Sequence, residues 1–189
     1  MQTIKSILFA AIATLGITSC NYQSQVSGQQ PTLQYASVDP QLQSYIGLRY
    51  TTTKELKEIE FLGASIFGGG AVKNMQGGYT YVRKGQKNML WLTGQINVVN
   101  QQQPAWKVLD ILSFPEYDRL LNNNSYYLGW GGRCRIKNGL SNPDVVAIAV
   151  LSKEEWLRDI KQAWKINRET GKFEPYSPNN ISCENPNLG

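Results

Sequence analysis

The stretch SKEEWLRDIKQA, residues 152–163, decides the fold class that the sequence implies. It reads as a helix that opens with a capping box: Ser152 is the N-cap and Glu155 stands three residues on, each side chain satisfying a free backbone amide. Trp156, Leu157 and Ile160 then share one face, which would lie against a sheet. Set among segments that read as strands, this helix makes the chain α+β.

Downstream, AWKINRETGKFEPY (163–176) reads as a hairpin turning at Glu169-Thr170-Gly171, where glycine supplies the left-handed conformation. Upstream, VVAIAVL (145–151) reads as a buried strand. YYLGWGGRCRI (126–136) reads as another, its glycines marking a bulge or a close backbone approach. AWKVLDILSF (105–114) is apolar on both faces, so it predicts a central strand covered on each side. GGYTYVRKGQKNMLWLTGQINVV (77–99) alternates around Lys84-Gly85-Gln86, a hairpin of residues 79–84 with 88–98.

Two earlier segments are less regular. In TTTKELKEIEFLGA (51–64) Leu56, Ile59 and Leu62 follow a Thr53 cap, which predicts a short amphipathic helix ending at Gly63; the threonine run leaves a strand as the alternative. SIFGGGAV (65–72) carries three glycines, but Ala71-Val72-Lys73-Asn74 breaks the phosphate-loop pattern, so a flexible turn is expected. The sum is a mainly antiparallel sheet with one or two helices packed on it.

The opening of the chain concerns location. Lys5 precedes an apolar run from Ile7 to Ile17, too short for a bilayer core that needs about 20 helical residues and the right size for a signal-peptide core. Ile17-Thr18-Ser19-Cys20 resembles the bacterial lipobox. That resemblance implies cleavage after residue 19, lipidation of Cys20 and a folded body held at a cell-envelope membrane in an exported compartment. Several acyl chains hold a protein on a bilayer where one binds only reversibly. Residues 20–43, rich in Gln and Ser with Pro31 and Pro40, read as a flexible linker, with a reach of about 27 Å. Residues 44–189 read as a single domain.

Cysteine use fits that address. With Cys20 given to lipid, Cys134 and Cys183 remain as an even pair in an oxidising compartment, against the alternatives of two free thiols or half a metal site. The chain has no histidine, which argues against zinc. Its net charge is +5, and no basic stripe of the nucleic-acid-binding kind stands out, Arg83/Lys84 and Arg133/Arg135 being the densest spots.

Without histidine the commonest general base and the Ser-His-Asp triad are missing. Asp110, inside an apolar strand, is the acid most open to burial, with Arg133 or Arg135 as its expected cation. No second positioned carboxylate accompanies it. Tyr126, Tyr127 and Trp130, with Trp91 and Trp106 on other strands, are expected core aromatics that could also floor a ligand groove. The expectation is therefore a non-enzymatic, lipid-anchored protein without cofactor that binds a protein partner, with a module for a small apolar or pigment-like ligand as the alternative and an enzyme using Asp110 third. The blocks MLWL, WKVLDILSFP, VVAIAV, EEWLRDIKQAWKIN and GKFEPYSPNNISCENP, spread over residues 45–186, resemble a group of uncharacterised secreted or lipid-anchored cyanobacterial proteins. That resemblance implies an envelope or lumen address and assigns no residue a role.

Overall fold

A computed structural model of the chain describes residues 40–97 and 104–188. The expected signal peptide 1–19, the expected lipidation site Cys20 and the expected linker up to residue 39 lie outside the described residues. In chain order the first strands are β1 (Arg49–Tyr50), β2 (Glu60–Val72), β3 (Met75–Lys84), β4 (Lys87–Ile96) and β5 (Ala105–Ser113). They are followed by β6 (Tyr126–Gly129), β7 (Cys134–Ile136), β8 (Val145–Val150), β9 (Trp156–Leu157), β10 (Ile160–Asn167), β11 (Lys172–Tyr176) and β12 (Ile181–Glu184). Helix is confined to α1 (Pro40–Gln43), α2 (Asp118–Asn122) and a 3-10 turn at Thr53–Glu55.

The strands form three antiparallel sheets. Sheet A runs β1-β5-β4-β3-β2, sheet B runs β11-β10-β8-β6 and sheet C runs β7-β12-β9. Sheets A and B face each other across the main core, where Tyr79, Leu90 and Leu92 meet Leu128, Ile148 and Trp164. The outer face of sheet A, with Val82, Met89, Trp91 and Ile111, is covered by Leu42, Tyr45, Leu48 and Tyr50 from the start of the folded body. The outer face of sheet B, with Val145, Ala147 and Ala163, is covered by Cys134, Ile181 and Cys183 of sheet C. Both central sheets are thus buried on both faces, which is why β8 and the Met89–Leu92 stretch of β4 are unbroken apolar runs.

The fold is therefore β-rich, and the expected α+β class is overturned. The segment 152–163 carries no helix. Ser152 Oγ accepts a hydrogen bond from the Glu154 backbone N–H at 3.1 Å, a local turn in place of a capping box. Trp156 and Leu157 then form β9 against β12, and Ile160 opens β10. The physical reason lies further along the same strand. Trp164 and Ile166 are buried in the main core while Ala163 is buried beneath sheet C, so the segment fills both faces of a sheet, which a one-sided helix cannot do.

Other expectations shift by less. The 51–64 segment keeps only the turn at Thr53–Glu55 before β2 begins at Glu60, so its strand alternative holds for the second half. The glycines of 65–72 sit inside β2, as a register shift between Ile66 and Ala71, rather than in a flexible turn. YYLGWGGRCRI divides into β6 and β7 around a turn at 130–133. Leu42 of α1 is 3% exposed in the outer cluster, so the last residues assigned to the linker belong to the folded body. The hairpins at Gly85 and at Glu169-Thr170-Gly171 are as expected, with Gly85 at φ 59° and Gly171 at φ 62°.

Candidate functional site

Cys134 and Cys183 are joined in a disulfide. They are register partners on β7 and β12, and both are fully buried. A Cβ on Gly129 of β6 would run into Cys134 Sγ and lie 2.9 Å from Cys183 Sγ, so the bridge packs on a glycine of the neighbouring layer. The bond joins β12 to β7 within sheet C, which covers the outer face of sheet B, and leaves neither of these sulfurs as a nucleophile.

Asp110 is placed in a structural role. Its carboxylate accepts the Phe173 backbone N–H at 2.8 Å and the Lys172 ammonium at 3.1 Å, joining β5 to β11. Its side chain is 13% exposed. The expected arginine partners are elsewhere: Arg133 pairs with Glu184 at 3.0 Å, and Arg135 lies 3.5 Å from the centre of the Trp156 ring while donating to Ser182 Oγ. Trp91 is buried on the outer face of sheet A against Tyr45 and Tyr50, and Trp106 lies on that same side of the sheet.

The three remaining aromatics come together. Tyr126, Tyr127 and Trp130 line one groove of about 770 Å³ beside β6, the edge strand of sheet B. Strand alternation sends Tyr126 toward sheet A, where it lies 5.8 Å from the ring of Tyr117, and sends Tyr127 toward sheet C. Trp130, in the turn that follows, reaches into the end of the main core, 6.0 Å from the ring of Tyr79 and 6.2 Å from that of Tyr81. A Cβ on Gly63 of β2 would stand 3.4 Å from the indole, so the ring packs closely on that strand. The opposite walls are Ala64 and Ser65 of β2, Trp156 of β9 and the segment Asn185–Leu188.

Among known protein families, curated proteins and solved structures, nothing matches this chain.

Burial, reinforced by Asp118, pushes the Tyr81 hydroxyl up to about 12, and burial also raises Tyr127, so both phenols are neutral near pH 7 and serve as hydrogen-bonding groups. The charged lining consists of Arg133, Glu155 and Glu184, with Arg133 and Glu184 already paired at the rim. No cluster of His, Cys, Asp and Glu among the described residues could hold a metal, and no helix among them is long and apolar enough to cross a membrane. A second, smaller hollow of about 210 Å³ lies between β2 and Trp106, beside Phe61 and Ile66, which are 50% and 54% exposed.

Sequence reasoning singled out Tyr126, Tyr127 and Trp130 but missed Trp156 and the segment Asn185–Leu188. Trp156 was hidden by the helix reading. The segment's only signal is its nearness to Cys183, since a Cys134–Cys183 bridge must bring it to β6.

Proposed function

We propose that the protein is an exported binding module, held at an envelope membrane by lipid on Cys20, and that the aromatic groove beside β6 is its recognition site. One observation carries this reading: Tyr126, Tyr127 and Trp130, from one strand and its turn, meet Trp156 from another sheet in a single groove of about 770 Å³. Aromatic side chains lose little conformational entropy on binding and offer large apolar faces, so such a groove suits a ligand that stacks. A binding role also agrees with the chemistry available. The chain has no histidine, Cys134 and Cys183 are bonded to each other, and the Asp110 carboxylate is engaged by Lys172 and Phe173.

Anilinonaphthalene sulfonate, a fluorescent aromatic probe, tests the groove. Titrated into the full chain it should bind, and Trp156→Ala should weaken that binding about tenfold, roughly 1.4 kcal/mol of lost stacking. Unchanged binding in Trp156→Ala would remove the groove as the site. The anchor is tested separately: Cys20→Ser should move the protein from the membrane to the soluble fraction, and a variant that stays on the membrane would overturn lipidation.

A further inference from the structure

We infer that the ligand enters as an added β-strand, an extended peptide of about four residues hydrogen-bonded to the outer edge of β6; the inference rests on the groove being the recognition site. The backbone register carries it. The Leu151 N–H donates to the Ser125 C=O at 3.2 Å, so Ser125 stands in a hydrogen-bonded position opposite β8. Val150, the register partner of Tyr126, gives its N–H instead to the Asp159 C=O at 2.9 Å, on the side away from β6. In an antiparallel ladder the two kinds of position alternate, so Tyr127 and Gly129 bond to β8 while Tyr126 and Leu128 point N–H and C=O outward. Among the described residues β6 pairs with no strand other than β8.

Tyr126 and Leu128 both line the groove; Tyr126 is partly exposed and Leu128 3% exposed, so the edge is open at Tyr126 and closely walled at Leu128. A flat apolar ligand laid there would strip water from the edge without replacing its hydrogen bonds, whereas an extended backbone supplies both donors and acceptors. Such a strand would lie about 4.8 Å from β6, its side chains alternating between the two faces. Tyr126 and Trp130 await one set on the side of sheet A, and Tyr127 and Trp156 await the other on the side of sheet C. The occupant is therefore a peptide with apolar residues at successive positions rather than on one face. A second copy of this chain does not suit, because β6 is recessed between Ala64-Ser65 and the segment Asn185–Leu188, and an equally recessed edge cannot enter it.

The test pans random nonapeptides displayed on phage against the full chain and synthesises the tightest binder with a backbone N-methyl group at each residue in turn. The expected result is that N-methylation at alternating residues weakens binding at least thirtyfold while the intervening positions tolerate it, and that the bound peptide slows hydrogen exchange of the partly exposed Tyr126 amide at least tenfold. A binder indifferent to N-methylation, protection elsewhere than β6, or no binder at all overturns strand addition. Anilinonaphthalene sulfonate separates the two failures. If it still binds in a Trp156-dependent way, the groove remains the recognition site and only the strand is wrong; if it does not, both readings fall.

Discussion

Asp110 shows how a partly buried carboxylate in a catalytically suggestive setting can be engaged by the fold. Its oxygens take the Phe173 N–H and the Lys172 ammonium, and neither contact faces the groove. Asp110→Ala should destabilise the fold by about 1–3 kcal/mol, because the partly buried Phe173 N–H loses its acceptor. The half-exposed Lys172 adds little. Urea unfolding measures the loss, and Asp110→Asn, which keeps an acceptor, should recover most of it; a loss of groove binding in Asp110→Ala without a loss of stability would contradict the structural role. Asp118 gives the pH counterpart. Burial raises its pKa despite two hydrogen bonds from Asn88 to its Oδ1. A carboxyl raised on folding contributes stability that is full below its unfolded pKa and is lost as pH rises through the folded value. Asp118→Asn should therefore help the fold more at pH 7 than at pH 3 in thermal melts, and a penalty larger at pH 7 than at pH 3 would mean that the ionised carboxylate's bonds to Asn88 prevail.

At the scale of elements, what could be read in advance was what local chemistry decides. The β3–β4 and β10–β11 hairpins follow from two-residue alternation around Gly85 and Gly171, whose left-handed backbone needs glycine. The segment 152–163 misleads because Ser152 and Glu155 imitate a helix start, while what makes it strand is pairing that its own periodicity does not show: β9 with β12, and β10 with its neighbours β8 and β11. The groove was half legible for the same reason: its β6 aromatics are neighbours in sequence, and its other walls arrive through pairing and through the disulfide. That bridge closes a separation of 49 residues, and removing it as Cys134→Ser/Cys183→Ser should cost about 4 kcal/mol by denaturant unfolding. The same variant should weaken probe binding, since β12 and the segment Asn185–Leu188 would lose their tether; intact affinity would show that this wall does not depend on the bridge. Gly129 belongs to the same arrangement, as its missing side chain is the space in which the sulfurs sit.

Across the whole described body, layering explains both stability and the position of the site. The N-terminal cover, sheet A, sheet B and sheet C stack so that both central sheets are dry on two faces. Apolar area buried this way contributes roughly 25 cal/mol per Å². Edges cannot be buried by stacking, and the two long sides meet the problem differently. β2 is interrupted by register shifts after Phe61 and Ile66, which twist an edge away from chance pairing. β6 is short and unshifted, flanked by aromatic side chains and open to a groove. Amide and indole NMR of the isotope-labelled full chain, titrated with anilinonaphthalene sulfonate, tests this account most directly. The account expects the largest shifts at Tyr126–Gly129, Trp130 and the Trp156 indole, with Trp91 and Trp106 unmoved; shifts centred on Phe61, Ile66 and Trp106 would place recognition on the other hollow and contradict it.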